Sequence, residues 1–551
     1  MDSNLLDELR SIIKGDVAND EATLHEYSYC ASLYEVKPQV VVFPKDEDDV
    51  KNLVAFVDRN KKDHPELSLT GRSAGTDMAG GPLNNSIIVA FQRYFSATPT
   101  INGDVATTQP GVFYRDFEKE TLKTNMIFPS YPASREICAM GGIVNNNSGG
   151  EKSLQYGKTE KYVESVNIVL QDGKKYVVKP LNEAELNDKM NQTDFEGELY
   201  KKMFTLLNDN YDLLKEAKPK VSKNSAGYYL WNVYDKETKI FDLTKLIVGA
   251  EGTLGLVTEA NIKLVPTKKY AEMMILFLHD LNHLGDIIDI VLPLQPDTFE
   301  TYDDNTLKLA LKFFPEFAKF LGTKGFIQTG LQFMPEFFMT VTGGLPKLIL
   351  QIDFQSDDQE ELNKKIADLK EKLKPLHPKA RIAHNKDEER KYWLIRRESF
   401  NLLRHKVKDL HTAPFIDDFA VQPHVLTEFL PKLNALFVKY PKMIYTIAGH
   451  VGDGNFHIIP LMKIEDQTQR DIIPVLGKEV YDLVLQYHGT ITAEHNDGIV
   501  RTPYLKQMYG EKVYSLFEET KKIFDPNNIF NPGKKVNGTM EYAMSHIRTS
   551  W

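Results

Sequence analysis

Leu67-Ser-Leu-Thr-Gly-Arg-Ser-Ala-Gly-Thr-Asp-Met-Ala-Gly-Gly81 passes from an apolar alternation into a glycine-rich loop, and the apolar run Ser86-Ile-Ile-Val-Ala-Phe91 follows it. Upstream lie Val40-Val-Val-Phe-Pro44 and a segment in which Val50, Leu53, Val54 and Val57 keep helical spacing. The order is strand, helix, strand, glycine loop, strand. Glycine lacks a Cβ and tolerates positive φ, so such a loop brings backbone N–H groups close to a phosphate. The nicotinamide fingerprint G-x-G-x-x-G in its strand-to-helix setting is absent, as is a Walker A motif. Two further glycine-dense stretches occur: Gly141-Gly-Ile-Val-Asn-Asn-Asn-Ser-Gly-Gly150, and the run from Leu246 to Pro266 that holds Gly249, Glu251, Gly252 and Gly255. A nucleotide site assembled from several separated glycine loops is the better inference, with a domain boundary near Pro266.

The 551 residues, 42% hydrophobic and 26% charged, suit two or more domains with substantial cores. A formal charge of −10 gives no global attraction to nucleic acid or anionic lipid. Cys30 and Cys138 are the only cysteines, too few for a disulfide framework or a cysteine-ligated cluster. The opening Met-Asp-Ser-Asn-Leu-Leu mixes charge with apolar residues at helical spacing, and no run reaches the ~18 apolar residues of a membrane span. A reducing, cytoplasmic setting is expected. Leu307 to Leu350 is rich in phenylalanine and echoes itself in Phe314-Pro-Glu-Phe317 and Met334-Pro-Glu-Phe337. Leu307, Leu311, Phe314, Ala318 and Leu321 share one helix face, with Lys308, Lys312 and Lys319 elsewhere. That face either packs on a sheet, with Pro315 and Pro335 as kinks, or lies peripherally on the inner face of a membrane.

In the second half, Met273 to Leu281 and Pro346 to Phe354 read as strands of an α+β domain. His450-Val-Gly-Asp-Gly-Asn-Phe-His457 reads as a hairpin. With Asp453-Gly454 at the centre of a two-residue turn, His450 falls opposite His457, their Cβ atoms roughly 5 Å apart. Two imidazoles so placed, with a nearby carboxylate, can converge on one cation.

The ordered motifs VVFPKDEDDV, TGRSAGTDMAGG, QPGV, FPSYPAS, GGIVNNNSGGEKSLQYGKT and VGAEGTLGLVTE resemble the FAD-binding domain of the vanillyl-alcohol oxidase and para-cresol methylhydroxylase (PCMH) superfamily. GHVGDGNFH, TAEHNDG and FDPNNIFNPGKK are similar to its D-2-hydroxyacid dehydrogenase branch, which includes D-lactate and D-2-hydroxyglutarate dehydrogenases. The resemblance implies an α+β chain: a helical segment 1–33, a two-subdomain PCMH-type FAD domain 34–268, a substrate or cap domain 269–510 with the insertion 307–350, and a segment 511–551 returning to the FAD domain. It implies that Arg72, Ser73, Ala74, Gly75, Thr76 and Asp77 cradle the FAD pyrophosphate. Gly141, Gly142, Asn145, Asn146, Gly149 and Gly150 would run beside the cofactor, and Glu251, Gly252 and Val257 would form a further wall. Thr76 stands where tethered members carry a flavin-bonded histidine, so FAD is expected to be non-covalent.

By the same resemblance His450, His457 and Glu494 match metal ligands, His495 the active-site histidine, and Arg396, in Trp393-Leu-Ile-Arg396, the arginine that grips the substrate carboxylate, with Arg397 as fallback. Zinc is the default ion for two nitrogens and a carboxylate, manganese and iron the alternatives. His495 then accepts the hydroxyl proton as hydride leaves for the flavin. Hydroxyglutarate enzymes carry a distal lysine where this chain reads Pro414-Phe-Ile-Asp-Asp418, and can hold asparagine where it has Ile459. The expected substrate is therefore a small 2-hydroxyacid such as D-lactate. The electron acceptor is a quinone, cytochrome, separate flavoprotein or oxygen, and nucleic acid is not expected as a partner. The rival readings are an alkylglycerone-phosphate-synthase-like enzyme and a membrane-associated flavin electron-transfer protein.

Overall fold

Four short strands and one amphipathic helix build the first layer of the computed structural model, which describes residues 1–312, 344–383, 388–390, 392–393, 395–396, 410–441 and 443–550. Strands β1 (Asp16–Ala18), β2 (Val40–Phe43), β3 (Leu69–Arg72) and β4 (Ile87–Ala90) lie in the order β1-β2-β4-β3, with β2, β4 and β3 parallel. Helix α1 (Glu47–Asn60) starts where the Asp46 carboxylate accepts the Asp49 N–H, at 3.1 Å. Its Val50, Leu53, Val54 and Val57 are wholly buried against this sheet, each stabilising it by roughly 1.5–3 kcal/mol. The glycine loop leaves the end of β3, so the sheet itself aims it.

A second, antiparallel layer follows in the order β5-β6-β9-β7-β8, from β5 (Thr100–Asn102), β6 (Val105–Thr108), β7 (Val163–Val169), β8 (Lys175–Val178) and β9 (Leu256–Lys263). Helix α2 (Met140–Asn146) carries the second glycine stretch, and the third leads into β9. Val169 and Leu256 pack into the core of the first sheet, which joins the two layers.

Beyond Pro266 the chain enters a wide antiparallel sheet. Its strands are β10 (Tyr270–Leu278), β11 (Thr298–Asp303), β12 (Leu348–Ser356), β13 (Lys379–Ile382), β14 (His411–Thr412), β15 (Phe419–Ala420), β16 (Ile444–His450) and β17 (Asn455–Met462). The order is β13-β10-β12-β11-β16-β17-β14, with β15 also on β17. Met274, Leu276 and Leu278 of β10 join the main core, while Met273, Ile275 and Phe277 pack with Tyr302, Ile349, Tyr392 and Ile395. Burial on both faces explains why β10 reads as an unbroken apolar run instead of an alternation. Leu307, on the helix Asp304–Lys312, is buried in the same cluster. Most of the phenylalanine-rich stretch (313–343) and Arg397 lie outside the described residues. Among the described residues no helix is long and apolar enough to cross a membrane.

The hairpin between β16 and β17 differs from expectation. Its register pairs His450 with Asn455 and Ala448 with His457, two residues away from the expected alignment. Val451–Asp453 makes a turn of 3-10 helix and Gly454 sits at φ +64°, giving a four-residue loop instead of a two-residue one. The cause is the tip, which is buried: Asp453 accepts from the Ser222 hydroxyl at 2.6 Å and pairs with Lys223 at 2.9 Å. A shift of two preserves the face of a strand, so both imidazoles still point the same way.

The last segment returns to the first domain. Phe530 bridges to Leu69, and Asn531 receives the Thr70 hydroxyl at 2.9 Å while donating to the carbonyls of Gly81 and Glu251 at 3.0 and 2.7 Å.

Candidate active site

One cavity of about 820 Å³, within the roughly 300–1,000 Å³ of ligand pockets, is lined by residues from all three glycine stretches and from the second domain. Arg72 through Asp77, Gly141, Gly142, Asn145, Asn146, Gly149, Glu251, Gly252 and Val257 line it. So do Arg396, His450, His457, Glu494 and His495. Gly150 does not: it packs on the Tyr131 carbonyl, where a Cβ would come within 2.1 Å, and its role is to let the two backbones approach. A Cβ on Gly142 would meet nothing within 4 Å and one on Gly252 only a carbonyl oxygen at 4.0 Å, so both present bare backbone to open space, as a dinucleotide cradle requires.

Two side chains expected on the phosphate side serve the protein instead. The Arg72 guanidinium donates to the carbonyls of Tyr27 and Tyr29, at 3.2 and 2.8 Å, and lies 5.0 Å from the centre of the Tyr27 ring. It braces the loop from below, and a Cβ on Gly75, at φ +68°, would strike it at 2.6 Å. The Asp77 carboxylate accepts from Ala79 N–H, Gly81 N–H and the Asn146 amide, at 3.0, 2.8 and 3.2 Å, which leaves the loop's backbone as its ligand-facing part. Burial pushes Glu251 up to about 8 despite the pull of Lys535, and its carboxylate accepts the Gly498 N–H.

At the other end of the cavity the histidines are held from behind. The His450 and His457 rings are 5.3 Å apart and perpendicular, while those of His457 and His495 stack at 5.0 Å. His450 Nδ1 lies 2.6 Å from Glu300 Oε1, His457 Nδ1 3.2 Å from Asp417 Oδ1, and His495 Nδ1 2.7 Å from Asp417 Oδ2. An ionised carboxylate can only accept, so His450 and His457 donate their Nδ1–H and keep Nε2 for the site, while His495 Nδ1 meets Asp417 Oδ2 as an ion pair without hydrogen-bond alignment. The Nε2 atoms of His450 and His457 stand 3.4 and 3.8 Å from Glu494 Oε2. Ligand atoms at about 2.0–2.2 Å from a tetrahedral ion are themselves roughly 3.4 Å apart, which is this spacing.

Glu494 is oriented by charge. Lys223, 1% exposed, takes its Oε1 at 2.7 Å and leaves Oε2 to face the imidazoles. Burial raises the Glu494 pKa, but Lys223 and His450 hold it well below the usual carboxylate range. For His450 and His495 burial works downward and is outweighed by neighbouring carboxylates, so both are raised to about 9. Asp418, at φ +70°, gathers the turn that presents the pair: its Oδ2 accepts from the Thr492 hydroxyl and the N–H groups of Ala493, Glu494 and His495 within 2.6–3.0 Å. Asp418, His457, Glu494 and His495 also bring one ligand atom each within 4.8 Å of one another. With those four donors on Oδ2 and the Asn455 amide on Oδ1 at 3.1 Å, Asp418 is spent, which leaves Glu494 Oε2 and the imidazole nitrogens turned toward it as the atoms that could hold a cation.

Glu300, Asp417, Asp418, Lys223 and Asp453 escaped sequence reasoning. Asp417-Asp418 did carry a signal, a pair of carboxylates inside the apolar stretch Phe415 to Val421, and Glu300 is an acid in the middle of β11, which ends on a second, Asp303. Lys223 carried none.

A domain described as "FAD binding domain" matches residues 38–179, and one described as "FAD linked oxidases, C-terminal domain" matches residues 269–535. A D-2-hydroxyglutarate dehydrogenase of Pseudomonas putida is 27% identical over 96% of this chain and 51% of its own length, so the chain spans about half of that relative. A D-lactate dehydrogenase of Archaeoglobus fulgidus is 25% identical over 96% of this chain and 99% of its own. The structure of a 4-ethylphenol oxidase from Gulosibacter chungangensis, bound to isoeugenol, shares the fold with a TM-score of 0.69 at 15% identity, covering 98% of each chain.

Proposed function

We propose that this chain, which belongs to the FAD-linked oxidases, oxidises a D-2-hydroxyacid to the 2-oxoacid, with a small D-lactate-like substrate preferred. Bound FAD supplies the hydride acceptor, and a divalent ion, zinc by default with manganese or iron as alternatives, supplies a Lewis acid for the 2-hydroxyl. His450, His457 and Glu494 would hold the ion. Arg396 receives the substrate carboxylate, and His495, in the neutral form that the charge of a nearby bound cation favours, takes the hydroxyl proton at Nε2 while Asp417 steadies the imidazolium that forms. The observation that carries this reading is the carboxylate behind every Nδ1, which turns the free Nε2 atoms into the same cavity as the glycine loops.

Substrate size follows from the wall. Apart from Arg396, the histidines and Glu494, the second-domain residues lining the cavity are Thr306, Thr412, Thr446, Ala448 and Ile459. None of these five is cationic, and Arg548, which also lines the cavity, lies over the Tyr29 ring at 4.4 Å, which favours a substrate with one carboxylate and a short or apolar tail. The test is anaerobic mixing of the FAD-loaded chain with D-lactate, L-lactate, glycolate and D-2-hydroxyglutarate while flavin absorbance is followed. D-Lactate is expected to bleach the flavin fastest, and chelation is expected to stop the reaction until metal is restored. If no 2-hydroxyacid bleaches the flavin, the reading is wrong.

A further inference from the structure

We infer that Glu300 is a positioning residue shared by both halves of the substrate site, one carboxylate fixing the guanidinium of Arg396 and the imidazole of His450 together. The inference rests on the functional reading above. Glu300 lies on β11, where the pairs Tyr302–Ala448 and Thr301–Gly449 carry it, one step on, to the position opposite His450. Its side chain is 1% exposed. Oε1 is 2.6 Å from His450 Nδ1, and Oε2 is 3.2 Å from an Nη of Arg396. His450 donates a hydrogen bond to Oε1, whereas Oε2 meets Arg396 as a buried ion pair without hydrogen-bond alignment, and a carboxylate is the side-chain group of this size that presents its charge at both oxygens.

Each contact leaves one edge of its partner for the site. His450 keeps Nε2, directed at Glu494 Oε2, 3.4 Å away. Arg396 keeps Nε, which is buried and has no hydrogen-bond partner among the described residues, in the wall of the cavity. A guanidinium braced at one Nη can meet a substrate carboxylate with its remaining donors without first being ordered. The hold on the metal ligand and the hold on the carboxylate clamp are thereby coupled through one residue.

Glu300→Gln tests this in the full chain loaded with FAD and zinc. Glutamine preserves the shape but sets an amide NH₂ against one of two donors, so at least one contact is lost. The KM for D-lactate and the rate of zinc release into a chelator are both expected to rise roughly 10–100-fold, the usual cost of removing a carboxylate behind a metal-ligating histidine. FAD content, which a general loss of structure lowers, is expected to stay unchanged. Glu300→Asp keeps the charge but is a methylene shorter and reaches only one partner, so it is expected to restore one of the two readouts and not both; it also serves if the glutamine variant fails to fold. KM and zinc release both within two-fold of wild type for Glu300→Gln overturn the inference. A wild type that neither holds zinc nor reduces its flavin overturns the functional reading and this inference with it. A wild type that does both, beside an unaltered variant, overturns this inference alone.

Discussion

Asp417 serves two imidazoles with one carboxylate, Oδ1 to His457 and Oδ2 to His495, and the residue is wholly buried. Burial alone raises its pKa, yet the charges of His495 and His457 hold it well below the ordinary value, so the carboxylate stays an acceptor at any working pH. Asp417→Asn keeps the shape and replaces one acceptor oxygen by an N–H₂ facing a ring nitrogen. His495 or His457 must then turn or change tautomer. The rate of flavin reduction by D-lactate is expected to fall on the order of 10²-fold or more, with FAD still bound, and stopped-flow absorbance measures it. Lys223 does the corresponding work for Glu494, and Lys223→Met leaves Glu494 and Asp453 as uncompensated buried charges. That loss is expected to cost roughly 3–5 kcal/mol in denaturant unfolding. His450 and His457 were legible because a hairpin motif joins them. Lys223 was not, since only tertiary folding brings it to them and no local pattern marks a lysine that will be 1% exposed.

The β16–β17 hairpin shows what a local rule reads and what it misses. Turn propensity found the hairpin, and strand parity kept both histidines on one face. The register went to a longer loop because Lys223 and Ser222 pull Asp453 inward and because Gly454 must touch the second domain's own backbone. A Cβ there would lie 1.9 Å from the Val421 carbonyl oxygen, in a φ region that L-residues reach at a cost of roughly 1–2 kcal/mol. Gly454→Ala is therefore expected to lower Tm by at least several degrees, at roughly 2–4 °C per kcal/mol for a domain of this size, and to loosen metal retention with it. Strand β12 holds a separate, pH-dependent cost. Asp353 is buried and accepts from the Gln355 amide at 3.0 Å, and burial, helped by Asp297, pushes it up to about 8. A carboxyl raised above its unfolded value of about 3.9 stabilises the fold most at low pH, and that contribution is lost as pH rises toward 8. Asp353→Asn removes the titration, so its Tm advantage over wild type is expected to widen between pH 5 and pH 8 in thermal unfolding curves. The glycine loops were legible as a set for the opposite reason to the register: each is local, and only their order along the chain had to be recognised.

Across the whole molecule, the cavity is closed by parts of the chain that lie far apart in sequence. β3 supplies the first loop, α2 the second, the approach to β9 the third, and the second domain supplies the histidines. Asn531, from the returning segment, touches three of the supporting stretches at once, accepting from Thr70 and donating to the carbonyls of Gly81 and Glu251. Lys534 and Lys535 extend this anchor inward, to the Leu83 carbonyl at 2.7 Å and to the carbonyls of Ser225 and Gly227 at 3.0 Å. The first glycine loop and the Glu251 wall are therefore held at a fixed spacing by one amide, and that spacing sets the width of the cavity between them. Asn531→Ala leaves a buried hydroxyl and two carbonyls without this partner, at about 1–3 kcal/mol for each group that finds no substitute. On the expected non-covalent binding of FAD, the loss is expected to appear in FAD affinity. The Kd for FAD, read by flavin fluorescence on titrating the apoprotein, is expected to rise at least about ten-fold, equivalent to 1.4 kcal/mol. A variant whose Tm falls while its FAD Kd stays within two-fold of wild type would show that Asn531 secures the chain terminus without setting the width of the cavity.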